Sequence, residues 1–394
     1  MKKKISLLGV LISGFSLLMN TDAMGAQKDY IKDVNKVYEN VIPENINIQI
    51  KTTLGQPKYL DYVYVKSVEA PVREEATTKS DIVGKYPFNT KFQVLEEVSS
   101  KAGTTWYKVH TEDGKVGYIS ERLVELRVFR FDEMLNRIKT LEKFVKEETA
   151  KGRELVSTNT YVPNPNNVNF KREKDKYGTS LDQNTMGYYG NEKIVVPDRS
   201  IMSIVSQNGG MTAVNVASIK ETPLNIKTST ISRNPRVSSN FSKVVAIDIA
   251  NQNQGVFEKI NGEWKLISYV YNKTGMESQV GFETPRGYFI VPMLKYEMGY
   301  RSEVGENQGY AKYAIRFSGG GYLHGTPINF EEEINREFFL KQKEGTLGTV
   351  PGTRKCIRNN EDYAKFLFDW MTEGKVNPKL NEQRPAENVM FIIF

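Results

Sequence analysis

Between Asp61 and Leu126 the chain alternates apolar and polar positions in short runs, YVYVKSVEAPVRE, KFQVLEEV, TTWYKVH and KVGYI, each broken by turn residues. Period-two alternation puts the apolar side chains of a strand on one face. The Asp113–Gly114 step between WYKVH and VGYI adds a tight-turn signal. Together these predict a small antiparallel barrel over 61–126. The period then changes. In FDEMLNRIKTLEKFVKEETAKG the apolar residues Met134, Ile138, Leu141 and Val145 recur at helical spacing, Leu135 and Phe144 broaden the stripe, and Gly152 is a stop signal. An amphipathic helix is expected over 131–152.

The stretch YVPNPNNVNFKREKDKYGTSLDQNTMGYYGNEK is rich in Asn, Lys, Pro and Gly and reads as irregular chain. β-prone pieces such as MTAVNVASI follow it, so 153–240 is either a connection or an extra β subdomain. From Phe241 the signal sharpens. KVVAIDIA, GVFEKI and EWKLISYVY read as three strands, the last two joined across Asn261–Gly262, a strong hairpin step. ETPRGYFIVPML and KYAIRFSGGGYLHGTPI read as further strands, and EEEINREFFLKQKEG and NEDYAKFLFDWMTEG as helices. The expected third unit, 241–394, is β-rich with inserted helices, and the whole chain is mainly β.

The chain's start has a different pattern. Lys2, Lys3 and Lys4 precede the apolar run ISLLGVLISGFSLLM, and small residues follow in NTDAMGA. This is the signature of a secretory signal peptide over 1–26, and the run is shorter than the roughly 20 residues of a spanning helix. Export to the periplasm or cell wall is expected, with membrane association only through a retained leader. Of 394 residues, 39% are hydrophobic and 26% charged, and the formal net charge is +7. Removing the leader's three lysines and Asp22 leaves 7 − 3 + 1 = +5. A positive excess outside the cytoplasm favours anionic surroundings such as wall polymers, and export excludes nucleic acid as a partner.

Export changes the meaning of cysteine usage. There is one cysteine, Cys356, where exported chains ordinarily pair their thiols. The two histidines are His110, in the barrel segment, and His324, in GGYLHG. A cysteine nucleophile needs a base or a positive field to reach the thiolate. His324 is the histidine available within 241–394, and Arg354, Lys355 and Arg358 surround the cysteine with charge. One cysteine and one histidine fall short of the four ligands of a structural zinc site, so no metal or cofactor is expected.

Two resemblances rest on these residues. Val72–Arg73, Ile82–Val83–Gly84, Trp106–Tyr107–Lys108–Val109 and Gly114–Lys115–Val116–Gly117–Tyr118–Ile119 resemble the bacterial SH3 domain. That implies a module that binds peptidoglycan peptides or positions an attached enzyme, and one removable without loss of the enzyme's chemistry. Further on, five pieces in order resemble the L,D-transpeptidase catalytic domain of the YkuD type. They are Val245–Ala246–Ile247–Asp248, Thr274–Gly275, Thr284–Pro285–Arg286–Gly287–Tyr288–Phe289, Tyr322–Leu323–His324–Gly325, and Thr353–Arg354–Lys355–Cys356–Ile357–Arg358–Asn359.

This second resemblance implies a β-sandwich enzyme that holds a peptidoglycan tetrapeptide stem as a thioester and passes it to an amine. It gives Cys356 the nucleophile's role, His324 the base's, and Gly325 a carbonyl that orients the imidazole. Backbone N–H groups at Lys355 and Cys356 become the oxyanion donors. Arg358, Thr353, Tyr322 and Arg354 become substrate-binding residues, and the cysteine a target for carbapenems. Where the family has Ser-His-Gly-Cys this chain has Thr-Arg-Lys-Cys, so a lysine stands where glycine is usual and strain is expected there. The EEEINREFFLKQKEG insertion, between His324 and Cys356, is expected to act as a lid or groove wall.

An NlpC/P60-type cysteine peptidase needs a histidine after the nucleophile, and none follows Cys356. A serine transpeptidase needs Ser-x-x-Lys, which the chain lacks. An L,D-carboxypeptidase, with water as acceptor, and a catalytically degenerate wall-binding or scaffold protein remain as alternatives.

Overall fold

The computed structural model describes residues 30–161, 172–302, 305–377 and 379–394. The leader expected over 1–26 lies outside these residues. No described helix is long and apolar enough to cross a membrane. Four sheets and three α-helices make up the described chain, and the protein is mainly β.

The first sheet has eight strands. Seven run in the order Ile82–Pro87, Glu69–Arg73, Val116–Ser120, Thr105–His110, Lys91–Ser100, Asp61–Val65 and Val124–Val128, and Ile31–Val37 adds to Lys91–Ser100. Its inward-facing residues, Val63, Val72, Phe92, Val94, Val109 and Ile119, form one closed core. Gly114 takes φ +83° at the hairpin tip. After this sheet comes helix α1, Phe131–Ala150, burying Met134, Leu135, Ile138, Leu141 and Val145. Gly152, at φ +72°, turns the chain away from it.

Residues within 153–240 form a seven-stranded antiparallel sheet, with its own core of Val156, Ile194, Met202, Val214, Leu224 and Ile226. The region from Phe241 onward packs a five-stranded sheet against a six-stranded one. The five-stranded order is Glu263–Tyr271, Asn253–Ile260, Lys243–Asp248, Val389–Ile393 and Gly287–Ile290. Asn261 and Gly262 take φ +53° and +85° between its first two strands, the double positive φ of a type I′ turn.

Every residue of Lys243–Asp248 and Val389–Ile393 is buried, and the two run parallel. Central strands buried along their whole length need cover on both faces. On one face, Val245, Ile247, Phe289 and Phe391 meet Phe317, Leu323, Ile357 and the helix Glu361–Thr372. On the other, Val244, Ala246, Met390 and Ile392 meet α1. The insertion after His324 is helical, with a 3-10 turn at Phe330–Asn335 running into α2, Arg336–Glu344.

The barrel contacts the rest of the chain directly. Tyr62, fully buried, donates from its hydroxyl to the Gly348 carbonyl at 2.6 Å and packs on Tyr271 with 4.8 Å between rings. Lys91 donates to the Gly345 carbonyl at 2.9 Å, and Asn253 donates to the Val128 carbonyl at 2.9 Å. At Gly348, φ +77°, a β-carbon would lie 2.6 Å from the Tyr62 hydroxyl, so this approach requires glycine. Tyr62 and Tyr271 bury apolar rings in each other, and pairing of this kind is invisible in either segment alone.

Candidate active site

The Cys356 loop is clamped from one side. The N–H groups of Gly352 and Thr353 both donate to the Thr274 carbonyl, at 2.9 and 3.1 Å, and Met276 N–H donates to the Thr353 carbonyl at 3.0 Å. A β-carbon on Gly275 would stand 2.5 Å from the Phe282 carbonyl oxygen and 2.7 Å from Lys355 Cα. Only a glycine admits this contact. The Thr284 hydroxyl ties the pieces together, accepting from Gly275 N–H at 2.7 Å and donating to the Lys355 carbonyl at 2.8 Å. Thr353 closes the turn by donating to the Cys356 carbonyl at 2.5 Å.

From the turn the chain enters the short strand Ile357–Arg358, parallel to Gly321–His324, with Leu323 beside Ile357 and His324 beside Arg358. Leu323 and Ile357 point into the sandwich core. With period-two alternation the opposite face carries Tyr322 and His324 from one strand and Cys356 and Arg358 from the other. Four of the residues singled out in the sequence therefore share one face. Arg358 is pinned on its far side by paired backbone bonds with Lys273, at 2.8 and 3.0 Å.

His324 is 5% exposed, and its Nδ1 lies 2.7 Å from the Gly325 carbonyl oxygen. A carbonyl can only accept, so Nδ1 carries the proton and Nε2 is left with its lone pair. Burial first, then the Arg358 charge, push the imidazole down to about 4 against the pull of Gly325. It is neutral at pH 7. Gly325 itself is held by its N–H to the Lys312 carbonyl at 2.9 Å.

Cys356 is partly exposed. Burial of its sulfur raises the thiol above its ordinary value, opposed by the Tyr322 N–H and by Lys355 and Arg358. The resting pair is thus a thiol and a neutral imidazole. The two are not hydrogen-bonded to each other: the Sγ contact is with the Gly320 carbonyl, at 3.9 Å. Two residues of strand, about 6.6 Å, separate their register positions, and the thiol faces Gly320.

Lys355 shows the strain expected of it, with φ +138° and a side chain only 5% exposed. Among the described residues, neither its N–H nor that of Cys356 is engaged by a carbonyl. Two adjacent unengaged donors beside a thiol can stabilise a developing oxyanion. Arg358 is half-buried, and its Nε has no hydrogen-bond partner among the described residues. A guanidinium in that state is a ready receptor for a carboxylate. Arg354 points outward and donates to the Arg301 carbonyl at 3.0 Å. Tyr322, 6% exposed, has its phenol raised by burial.

The sequence reading assigned no role to Thr284 or Gly320. Thr284 lay in the quoted TPRGYF motif, and a hydroxyl there was the available signal. Gly320 was one of three consecutive glycines with nothing to mark which carbonyl meets the thiol. Among the described residues no cluster of three or more His, Cys, Asp and Glu could hold a metal.

Comparison with known proteins sets this geometry in context. No curated protein matches the chain. Among solved structures, a fused Zn-dependent amidase/peptidase/peptidoglycan-binding domain protein from Clostridium acetobutylicum aligns at 16% identity and TM-score 0.25, over 40% of this chain and 55% of that one. An L,D-transpeptidase from Stackebrandtia nassauensis aligns at 16% identity and TM-score 0.25, over 41% and 60%. L,D-transpeptidase 1 of Mycobacterium tuberculosis aligns at 13% identity and TM-score 0.25, over 56% and 85%. The chain spans little more than half the length of the first two. Residues 68–125 match the bacterial SH3 domain family.

Proposed function

We propose that the protein is an exported peptidoglycan L,D-transpeptidase, with a bacterial SH3 domain over 61–126 and a catalytic domain over 241–394. The observation that carries this reading is the shared face of Tyr322, His324, Cys356 and Arg358, with the imidazole's proton held on Nδ1 by the Gly325 carbonyl at 2.7 Å. The same face would serve carboxypeptidase hydrolysis, and the acceptor decides between them.

In this mechanism the Cys356 thiol gives its proton to His324 Nε2 as sulfur attacks the carbonyl carbon after the third stem residue. The oxyanion forms against the N–H groups of Lys355 and Cys356, the type of contact whose loss costs about 3–4 kcal/mol. Imidazolium returns the proton to the departing amine of the fourth residue, which leaves a thioester. The acceptor amine then attacks the thioester, loses its proton to Nε2, and the thiolate leaves and is reprotonated. Arg358 binds a substrate carboxylate, Thr353 shapes the turn, and Tyr322 and Arg354 border the groove. The α2 insertion excludes water, so that an amine competes for the thioester. A carbapenem, as strained acyl donor, takes the place of the stem and stays on sulfur.

The test is a tetrapeptide-stem substrate incubated with an acceptor amine and followed by mass spectrometry. The reading expects cross-linked dimer in excess of tripeptide, and neither product with Cys356→Ala. Tripeptide alone at saturating acceptor supports the carboxypeptidase, and no turnover by folded protein supports the scaffold.

A further inference from the structure

A cavity of about 600 Å³, with Lys355 in its wall, lies between the seven-stranded sheet and the sandwich. Neither Cys356 nor His324 lines it. Its apolar wall includes Phe282, Tyr288 and Phe394, and its volume is in the range of peptide-sized ligand sites, about 300–1,000 Å³.

The charges around it are unevenly matched. Glu277 is paired with Lys174, Glu283 with Arg286 at 2.6 Å, and Glu221 with Lys176 at 3.0 Å. Asp175 accepts from the N–H groups of Tyr177, Thr179 and Val195 at 2.9 to 3.0 Å. Arg130 is held by Asp248 at 2.7 Å and Arg137 by Glu133 at 2.7 Å. Two lining cations, Lys355 and Lys220, have no ion-pair partner among the described residues. Lys220 is exposed.

Lys355 is the informative one. Among the described residues its ammonium has one polar contact, a long 3.5 Å approach to the Asp182 carbonyl, and it stands 5.7 Å from the Phe282 ring centre. The carboxylates of Asp182 and Asp198 act on it from beyond ion-pair distance, and Asp198 is already bound by Arg316 at 2.7 Å. Burial lowers its pKa. A buried ammonium without a carboxylate is costly to keep, and an anion entering this cavity would relieve that cost.

We propose that this cavity is a second binding site, which takes the free carboxylate of a short peptide on Lys355 and Lys220 with the peptide's apolar body against Phe282, Tyr288 and Phe394. The proposal deepens the wall-peptide reading and rests on it for the kind of peptide. A peptide seated here meets the Cys356 loop at Lys355, and Arg358 does not line the cavity, so it acts on the loop without competing for Arg358.

The test uses full-length Cys356→Ala protein, which binds without turning over, and two probes: N-acetyl-D-alanyl-D-alanine and its C-terminal amide. Calorimetry is expected to show the acid binding at least ten-fold tighter than the amide. In the same background, Lys355→Met is expected to abolish that preference and Lys220→Ala to reduce it several-fold, while Arg358→Gln leaves it in place. Equal binding of acid and amide overturns the proposal, as does no binding. A preference that survives both lysine variants, or one lost with Arg358→Gln alone, overturns it as well. Lys220 is exposed, so its variant keeps the test decisive where Lys355→Met fails to fold. Carbapenem acylation of the wild type without acid selectivity sinks the cavity alone; acid selectivity without acylation sinks the catalytic reading alone.

Discussion

Replacing Lys355 by alanine and, separately, by glycine isolates the strain built into the nucleophile loop. Both variants remove the buried ammonium, so their difference reports the backbone. Lys355 sits at φ +138°, held there by Thr284 on its carbonyl and by the contact with Gly275. A residue with a β-carbon in such a conformation costs about 1–3 kcal/mol. Glycine is free of that cost but loses about 0.4–1 kcal/mol through the greater freedom of its unfolded chain. The balance favours glycine, by roughly 1 kcal/mol at the middle of these ranges, the reverse of the order at ordinary positions. Urea unfolding followed by tryptophan fluorescence measures it, provided both variants share one slope. A Lys355→Ala protein as stable as Lys355→Gly, or more stable, refutes the claim that this loop is strained.

Tyr62→Phe removes the hydroxyl that reaches the Gly348 carbonyl at 2.6 Å, and a buried acceptor left unsatisfied costs about 1–3 kcal/mol; urea unfolding should show that loss, and deletion of 61–126 should lower acylation through the α2-to-Cys356 segment. An unaffected deletion variant would return the barrel to a detachable module. Because burial raises the Cys356 thiol, its alkylation by iodoacetamide should climb with pH through and beyond the ordinary thiol range of about 8.5; a plateau below pH 7 would mean a resting thiolate. His324 is depressed to about 4 in the fold, against roughly 6.5 unfolded. The unfolded chain therefore binds the extra proton first, and stability falls as pH drops from about 6.5 to 4, by up to about 3 kcal/mol from this group. Wild type should lose that much more than His324→Gln over the same range, and parallel curves would contradict the burial.

Local patterns carried much of the fold. The Asn261–Gly262 hairpin, with both residues at positive φ, and the stripe Met134, Ile138, Leu141 and Val145, all buried in α1, depend on a few neighbouring residues and so were legible. The strand Val389–Ile393 was not. Its place beside Lys243–Asp248 is a contact between residues far apart in the chain, and an all-apolar run does not name its partner. The seven-stranded sheet within 153–240 was hidden for a related reason: its strands are short, and its Asn-rich surroundings mask the alternation. Cys356 and His324 stand out in the sequence because each is singular in its region, whereas the face they share depends on the parallel pairing of Gly321–His324 with Ile357–Arg358. The 3.9 Å turn of the thiol to Gly320 depends on side-chain rotation, which no spacing encodes.

The central claim is that Cys356 is an acylated nucleophile assisted by His324, and intact mass after incubation with imipenem tests it most directly. The account predicts one adduct on wild type, mapped to the peptide containing Cys356, none on Cys356→Ala, and an adduct formed about two or more orders of magnitude more slowly on His324→Ala. Folded wild-type protein that keeps its unmodified mass contradicts the account, and so does an adduct that persists in Cys356→Ala.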